Sequence, residues 1–337
     1  MILAGDIGGT NTRLAYARVD GGRLRLVAES TFPSRDHPNL EAVLTKFVSA
    51  HRLPVRQACF GVAGPVRNGR CEATNLPWVV DSRDLAKQLG LDKALVINDL
   101  EANAYGIAVL EPKDFAMLSE GDPDAQGNAA LIAAGTGLGE AGLYWDGARH
   151  RPFASEGGHA TFAPRNDLEM DLLRYLLTQF EHVSYERVLS GPGLLNIYKF
   201  LRDTGRGEEP GWLAERMRRG DPPAVITQAA LEGKSVLCTA ALDLFVSLYG
   251  AEAGNLALGV LATGGLFVGG GIARNIVQKL KGSTFMTAFT AKGRMKPLLD
   301  AMPVRVILND KTPLLGAARC AILEEAVNPD YDEEEER

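Results

Sequence analysis

Short apolar runs alternate along the chain with stretches in which apolar residues recur every three or four positions, the pattern of an α/β protein whose strands are covered by helices. Ile2–Ala4 reads as a buried strand and Leu14–Val19 as its hairpin partner. Further strand-like runs are Ala58–Val62, Ala94–Ile97, Ala129–Ala134, Leu266–Val268 and Val304–Leu308. The helical spacing predicts helices over Leu40–Ala50, Leu168–Gln179, Leu194–Leu201 and Ile272–Leu280. One long buried helix is expected over Ser235–Leu261, with room for an interruption near Gly254. Joints rich in Pro and Gly at Glu111-Pro112, Glu120–Gly127 and Gly205–Gly211 read as exposed connections, and the first suits a domain boundary near residue 108.

Composition narrows the class. A chain of 337 residues exceeds the ~100–200 usual for one domain, so two domains are expected. With 46% hydrophobic and 23% charged residues it reads as soluble and globular. No apolar run approaches the ~20 residues of a bilayer span, and the first residues lack a signal-peptide pattern, so a cytoplasmic protein with no membrane partner is expected. A net charge of −6 argues against nucleic acid as a partner. The basic knot Arg216-Met217-Arg218-Arg219 reads as a solvated helix face. Cys59, Cys71, Cys238 and Cys320 show no CxxC spacing, which indicates neither a zinc site nor a disulfide framework. The end of the chain, Asp332–Arg337, repels itself and is expected to be disordered.

Three glycine turns carry the candidate chemistry. In the first, Asp6-Ile7-Gly8-Gly9-Thr10-Asn11, small residues between two strands expose backbone N–H groups to an anion, with glycine supplying positive φ and close approach. An acid beside a phosphate is repulsive unless a divalent cation lies between them, so Asp6 points to Mg²⁺, which prefers oxygen ligands. A plain hairpin turn with a capping Asp is the alternative. The second turn, Gly135-Thr136-Gly137-Leu138-Gly139, repeats the order of strand, glycine turn, small-residue strand with a tyrosine (Tyr16, Tyr144) and then Asp-Gly. Two such hairpins, one per domain, would grip a polyphosphate from both sides, although so short a repeat also arises by chance. The third, Gly269-Gly270-Gly271, follows a strand and either lets a ring or ribose pack on the main chain or marks a tight crossover.

Two other matches fail on context. Gly137–Gly142 fits G-x-G-x-x-G, but Leu143-Tyr144-Trp145-Asp146-Gly147 follows where the dinucleotide fingerprint needs a helix. Gly233-Lys234-Ser235 resembles a Walker A ending, but Gln228 stands where its glycine is required.

The three glycine motifs are similar to the two phosphate motifs and the adenosine motif of the actin-like superfamily of sugar kinases, actin and heat-shock chaperones. Within it the chain resembles the bacterial glucokinase family through Ile97-Asn98-Asp99, Glu156-Gly157-Gly158-His159, Glu186–Leu194 and Asn255-Leu256-Ala257-Leu258, in order from about residue 3 to residue 325. Ala63-Gly64-Pro65 and the acidic tail depart from the family pattern. The related kinases and repressors with a Cys-rich zinc motif fit less well, and no DNA-binding domain is expected ahead of Ile2. The resemblance implies an α/β, two-domain actin-like (ribonuclease H-like) sugar kinase fold with an interdomain cleft. The small domain would be 1–108 plus 312–327, with Thr312 capping a helix that has Pro313 in its first turn and packs closely through Gly316-Ala317-Ala318. The large domain would be 109–311, and 328–337 the tail.

Asn98 and Asp99 end a strand, where open α/β sheets present ligands. A carboxylate there can accept the proton of a sugar hydroxyl as its oxygen attacks phosphorus, while capping the helix that begins at Leu100 is its structural alternative. The resemblance implies that Asp99 is the general base for the 6-hydroxyl of glucose, with Asn98, Glu156, His159, Glu186 and Gly137 at the sugar. It also implies that ATP is held by Asp6, Ile7, Gly8, Gly9, Thr10, Asn11, Gly135, Thr136, Gly137, Gly269, Gly270 and Gly271, with Mg²⁺ at Asp6. His159, taken alone, reads as structural, and Glu186, taken alone, as a solvated helix residue. The expected activity is ATP-dependent phosphorylation of glucose to glucose 6-phosphate by a homodimer. The alternatives are a kinase of mannose or an amino sugar, and an actin-like ATPase without a sugar substrate.

Overall fold

The computed structural model describes residues 1–326, so the acidic tail lies outside the described residues. The chain groups into two compact units. One comprises Met1–Pro112, Pro152–Ala154 and the chain from Asn309 onward; the other comprises Lys113–Arg151 and Ser155–Leu308.

In the first unit, strands β1 (Ile2–Ile7), β2 (Asn11–Asp20), β3 (Arg23–Pro33) and β4 (Gln57–Val62) are followed by a small sheet of β5 (Val66–Arg67), β6 (Arg70–Glu72) and β7 (Val79–Asp81), and then by β8 (Leu95–Asn98). The main sheet has the order β3-β2-β1-β4-β8, with β1, β4 and β8 parallel. Alternation along the strands sends Leu3, Ile7, Leu14, Phe60 and Val62 to one face, where Leu40, Val43, Leu44 and Phe47 of helix α1 (Leu40–His51) cover them. Helix α2 (Ser82–Leu89) adds Leu85 and Ala86 to that core. On the other face Ile2, Ala4, Ala15, Ala17 and Cys59 meet helix α3 (Asp99–Ile107) and the returning helix Thr312–Ala326.

Small residues set the distance between those two helices. A Cβ at Gly316 would overlap the Ala102 carbonyl, and one at Gly106 would overlap that of Thr312. The close packing expected of Gly316-Ala317-Ala318 is therefore present. The expected cap is not, because Thr312 is already helical. Its Oγ1 donates to the Asn309 carbonyl at 2.7 Å, and Asn309 Oδ1 accepts the Lys311 N–H at 2.9 Å, so Asn309 organises this turn.

The second unit is built on β9 (Phe115–Ser119), β10 (Ala129–Ala134), β11 (Leu138–Trp145), β12 (His150–Ser155), β13 (Gly265–Gly269) and β14 (Val304–Ile307), in the order β12-β11-β10-β13-β14-β9. Helices α4 (Asp167–Leu177), α5 (Gly191–Asp203), α6 (Gly211–Arg219), α7 (Pro222–Leu231) and α8 (Val236–Gly259) fill its core with Leu, Ile, Phe and Tyr side chains. Helix α8 runs unbroken through Gly254. Gly250 and Gly254 let it approach helix Ser283–Thr290 so closely that a Cβ at either would crowd the carbonyl of Phe285 or Phe289. By length and composition α8 could cross a membrane, which corrects the expectation drawn from apolar runs, since Asp243 and Glu252 break the run without ending the helix. Its Leu237, Leu242, Phe245, Leu248 and Tyr249 are buried in this unit's core. The helix expected over Ile272–Leu280 divides at Ile276 into α9 (Gly270–Asn275) and α10 (Val277–Leu280).

Candidate functional site

Parallel pairing aligns the carboxyl ends of three strands of the first unit. Ile7 of β1 is level with Val62 of β4, and Val62 with Asn98 of β8; one step back, Asp6, Gly61 and Ile97 form the adjacent row. Asp6 and Asp99 thus belong to the same sheet edge with only β4 between their strands, a separation of about 10 Å across two strand spacings. Gly61 makes the near approach of α3 possible, since a Cβ there would stand 2.7 Å from Ala102 Cβ and 3.5 Å from Asp99 Cα.

The first glycine turn closes the β1–β2 hairpin through a Gly8 N–H to Asn11 carbonyl bond of 3.0 Å. Ser34, which sequence reasoning missed, clamps it: its hydroxyl donates to the Gly8 carbonyl at 2.7 Å and lies 3.0 Å from Thr12 Oγ1, while its N–H donates to the Thr10 carbonyl. Gly8 and Gly9 do not have the positive φ expected of an anion nest. Glycine is required at position 9 because Asn75 packs against it, only 2.6 Å from where a Cβ would be. Burial pushes the Asp6 carboxyl up to about 6, against the pull of Arg13, its partner across the hairpin. Arg13 donates instead to the Asp310 carbonyl at 2.9 Å. Asp6 is therefore an oxygen donor short of positive charge, which fits a divalent cation.

Asn98, not Asp99, caps α3. Its Oδ1 accepts the N–H groups of Leu100 at 2.9 Å and Glu101 at 3.3 Å, while its Nδ2 donates to the Gly64 carbonyl at 3.1 Å. The structural role expected of Asp99 thus falls on its neighbour, and the Ala63-Gly64-Pro65 segment is what holds that neighbour. Gly64 has φ +139°, a conformation that excludes other residues. Asp99 is the first residue of α3, partly exposed at the sheet edge.

In the second unit the β10–β11 hairpin repeats the β1–β2 arrangement, each with a parallel strand beside its first member, β13 and β4 respectively. The tyrosines do not correspond in surroundings, since Tyr16 is fully buried and Tyr144 is 55% exposed. Glu186 Oε2 accepts the Leu138 N–H at 3.0 Å and lies where a Gly137 Cβ would be. The segment after Glu156 pairs with the segment before Glu186 through Phe162 N–H to Val183 carbonyl and Tyr185 N–H to Ala160 carbonyl bonds. Gly158 sits so close to Leu138 that a Cβ would overlap its carbonyl. Glu156 and His159 are both exposed, with His159 Nε2 4.0 Å from Glu156 Oε2. Four residues separated by up to fifty positions, Gly137, Glu156, His159 and Glu186, are thereby tied into one cluster around the second glycine turn.

The same turn borders a cavity of about 900 Å³, lined by Gly135, Thr136, Gly191, Pro223, Thr227 and Ile272 among others. Gly271 also lines it, and a Cβ at Gly270, whose φ is +87°, would overlap the Ala134 carbonyl. The second and third glycine motifs therefore converge on one apolar-walled space. The N–H of Gly191 donates to the Gly135 carbonyl at 2.8 Å, which brings the start of α5 to the turn, and an N-terminal helix turn favours phosphate. The chemistry of this lining, apolar walls with the polar side chains of Thr136, Thr227, Gln228 and Asn275, fits a nucleotide. Helix α7, which supplies Pro223 and Thr227, has no counterpart among the helices expected from the sequence. The rejected fingerprint does lead into a strand, β11, and Ser235 of the rejected Walker ending caps α8 through the Cys238 N–H.

A family model described as Glucokinase matches residues 3–324. The chain belongs to the glucokinase family. A glucokinase from Nostoc sp. is 42% identical over 337 residues, spanning 95% of this chain and 98% of the relative. A solved glucokinase from an Antarctic psychrotroph superposes with a TM-score of 0.82 at 33% identity, covering 96% of this chain and 98% of that one. The glucokinase of Balamuthia mandrillaris, solved in complex with glucose, shares the fold with a TM-score of 0.78 at 24% identity, covering 95% and 93%. The mixed α/β fold is that of glucokinases and related sugar kinases.

Proposed function

We propose that this chain is an ATP-dependent glucokinase that transfers the γ-phosphoryl group to the 6-hydroxyl of glucose, with Asp99 as general base. The observation that carries the reading is the Gly135–Gly137 turn, which borders a nucleotide-sized cavity and is also tied to Glu186, Gly158 and the Glu156–His159 turn. A glycine turn shared by a nucleotide space and a cluster of hydroxyl-binding groups suits transfer from one ligand to the other. Glu156, His159, Glu186 and Asn98 would pair the sugar hydroxyls, because a buried partner left unfilled penalises the wrong sugar.

ATP would lie with its base in the cavity and its phosphates at the glycine turns. Mg²⁺ held through Asp6 would neutralise charge developing on the transferring group. Asp99 would take the hydroxyl proton as the sugar oxygen attacks, a role that needs the acid ionised and within reach of that oxygen. Closure of an interdomain cleft over the sugar, which excludes water as a competing acceptor, belongs to the same proposal. So do the cytoplasmic location and the homodimer.

A coupled assay with ATP, Mg²⁺ and a panel of hexoses tests the reading. Glucose-dependent ADP formation that collapses in Asp99→Ala is expected. ATP turnover independent of any sugar and unaffected by Asp99→Ala would instead identify an actin-like ATPase, and a preference for mannose or an amino sugar would move the substrate within the hexoses.

A further inference from the structure

Two acidic side chains lie side by side in the core of the second unit, beneath the Glu156–His159 turn. Glu140, on β11 opposite Ile132, is 3% exposed, and Glu252, on α8, is 5% exposed. They are hydrogen-bonded to one another. Two ionised carboxylates cannot share such a contact out of water, so the pair holds one proton. Two contacts tie the pair to the proposed sugar side of the site. A Cβ at Gly157 would overlap Glu140 Oε2, and the Gly157 N–H is held by Ser155 Oγ at 2.9 Å. Glu252 accepts from Asn255 Nδ2 at 2.8 Å and from the hydroxyl of Tyr185, the residue before Glu186. We propose that the Glu140–Glu252 pair is a positioning element: its shared proton keeps the Glu156–His159 turn and the Glu186 turn in place for sugar binding. The inference rests on the hexose-kinase reading and adds to it two residues that touch no substrate.

The surroundings explain why the proton matters. Glu140 Oε1 has no hydrogen-bond partner among the described residues, so no donor would compensate an ionised Glu140 there. Burial and the neighbouring Glu252 together push Glu140 up to about 8. Glu252 is also raised by burial, but the donors from Asn255, Tyr185 and Glu140 restrain it. Tyr249 of α8 is the other titratable group facing Glu140. The cationic charge nearby is Lys292, whose ammonium donates to Asn255 Oδ1 and to the Ala251 carbonyl, and Arg165, which acts on Tyr185 and Lys292. Neither cation is hydrogen-bonded to Glu140. Loss of the proton would set two negative charges against each other under Gly157, and their separation would displace both turns.

The test is the pH dependence of the glucose KM and of kcat at saturating ATP, compared between the native enzyme and Glu140→Gln. Glutamine keeps the volume and an N–H donor for Glu252 but cannot ionise. A one-proton transition near pH 8 predicts a KM that rises roughly tenfold between pH 7 and 9 with kcat little changed, and a flat KM in Glu140→Gln. In parallel, the infrared band of a protonated carboxyl should titrate over the same range in the native protein and be absent from Glu140→Gln. A native KM that stays flat, or a variant that keeps the rise, would overturn the positioning role while leaving a working glucokinase. Absence of phosphorylation with every hexose would overturn the functional reading and this inference with it.

Discussion

Asn98 Oδ1 accepts the Leu100 N–H at 2.9 Å, so the cap of α3 and the proposed base are adjacent residues with separable duties. Asn98→Ala removes the cap and the bond to the Gly64 carbonyl, and should cost about 1–2 kcal/mol of stability. Asp99→Asn keeps the size of the side chain and the cap, so the melting temperature should change little while kcat falls ~10²–10⁴-fold. Thermal melts and initial rates on the two variants check both halves. An Asp99→Asn enzyme with normal kcat would remove the general-base role.

Gly137 and Glu186 make a second prediction. A methyl group at 137 would meet the end of the Glu186 side chain, which is flexible and can swing away, so Gly137→Ala should fold normally. Displacing Glu186 frees the Leu138 N–H and moves a proposed sugar ligand. The expected outcome is a glucose KM raised about tenfold, in line with the ~1–1.5 kcal/mol of one hydrogen bond, with a smaller change in the ATP KM. Glu186→Gln retains an acceptor for Leu138 and should be the milder change. If Gly137→Ala raises only the ATP KM, Glu186 does not serve the sugar.

Much of this arrangement was legible in the sequence, and the missing parts have a common cause. Strand and turn positions follow from local apolar runs and glycine placement, so Asp6–Asn11, Gly135–Gly139 and Gly269–Gly271 could be found without coordinates. The long helix expected over Ser235–Leu261 forms as α8, and the room left for an interruption near Gly254 goes unused, because the small residue serves contact with Phe289 rather than chain bending, and a neighbour thirty-five positions away leaves no local trace. Positive φ at Gly8 and Gly9 was inferred from residue type, whereas the actual requirement at Gly9 comes from Asn75. The clamp by Ser34, the walls supplied by α7 and the Glu140–Glu252 contact likewise join residues distant in sequence. Glu156, His159 and Glu186 were reachable through family resemblance, since nothing in their spacing reveals that the two segments pair.

The raised carboxyl of Glu140 also makes stability depend on pH. In the unfolded chain the group titrates near 4.5, and in the folded protein near 8. Between those values the native state binds more protons than the unfolded state, so this contribution is complete below about pH 4.5 and is lost as pH rises through 8. Asp6, raised to about 6 from 3.8, acts in the same direction over a lower window. Melting temperatures measured from pH 5 to 9 should decline, and Glu140→Gln should flatten the upper part of the decline, from about 6.5 to 8.5. An identical slope in the variant would show that Glu140 does not hold its proton in the folded state.

Ala224 offers a way to separate the two ligands. It is an exposed residue of α7 that lines the 900 Å³ cavity, so a larger side chain there has open space to enter and no core to disturb. Ala224→Trp should therefore leave the melting temperature within a few degrees of the native value. The indole would occupy volume assigned to the nucleotide base, and a loss of about 1.4–2.8 kcal/mol of binding corresponds to a ten- to hundredfold increase in the ATP KM. The residues proposed for glucose, Glu156, His159 and Glu186, lie across the glycine turn, so the glucose KM at saturating ATP should shift by less than about threefold, or ~0.7 kcal/mol. Steady-state kinetics with each substrate varied in turn distinguishes the outcomes. An ATP KM unaffected by the tryptophan would place the nucleotide outside this cavity, and the roles given to Gly135, Thr136 and Gly271 would fail with it.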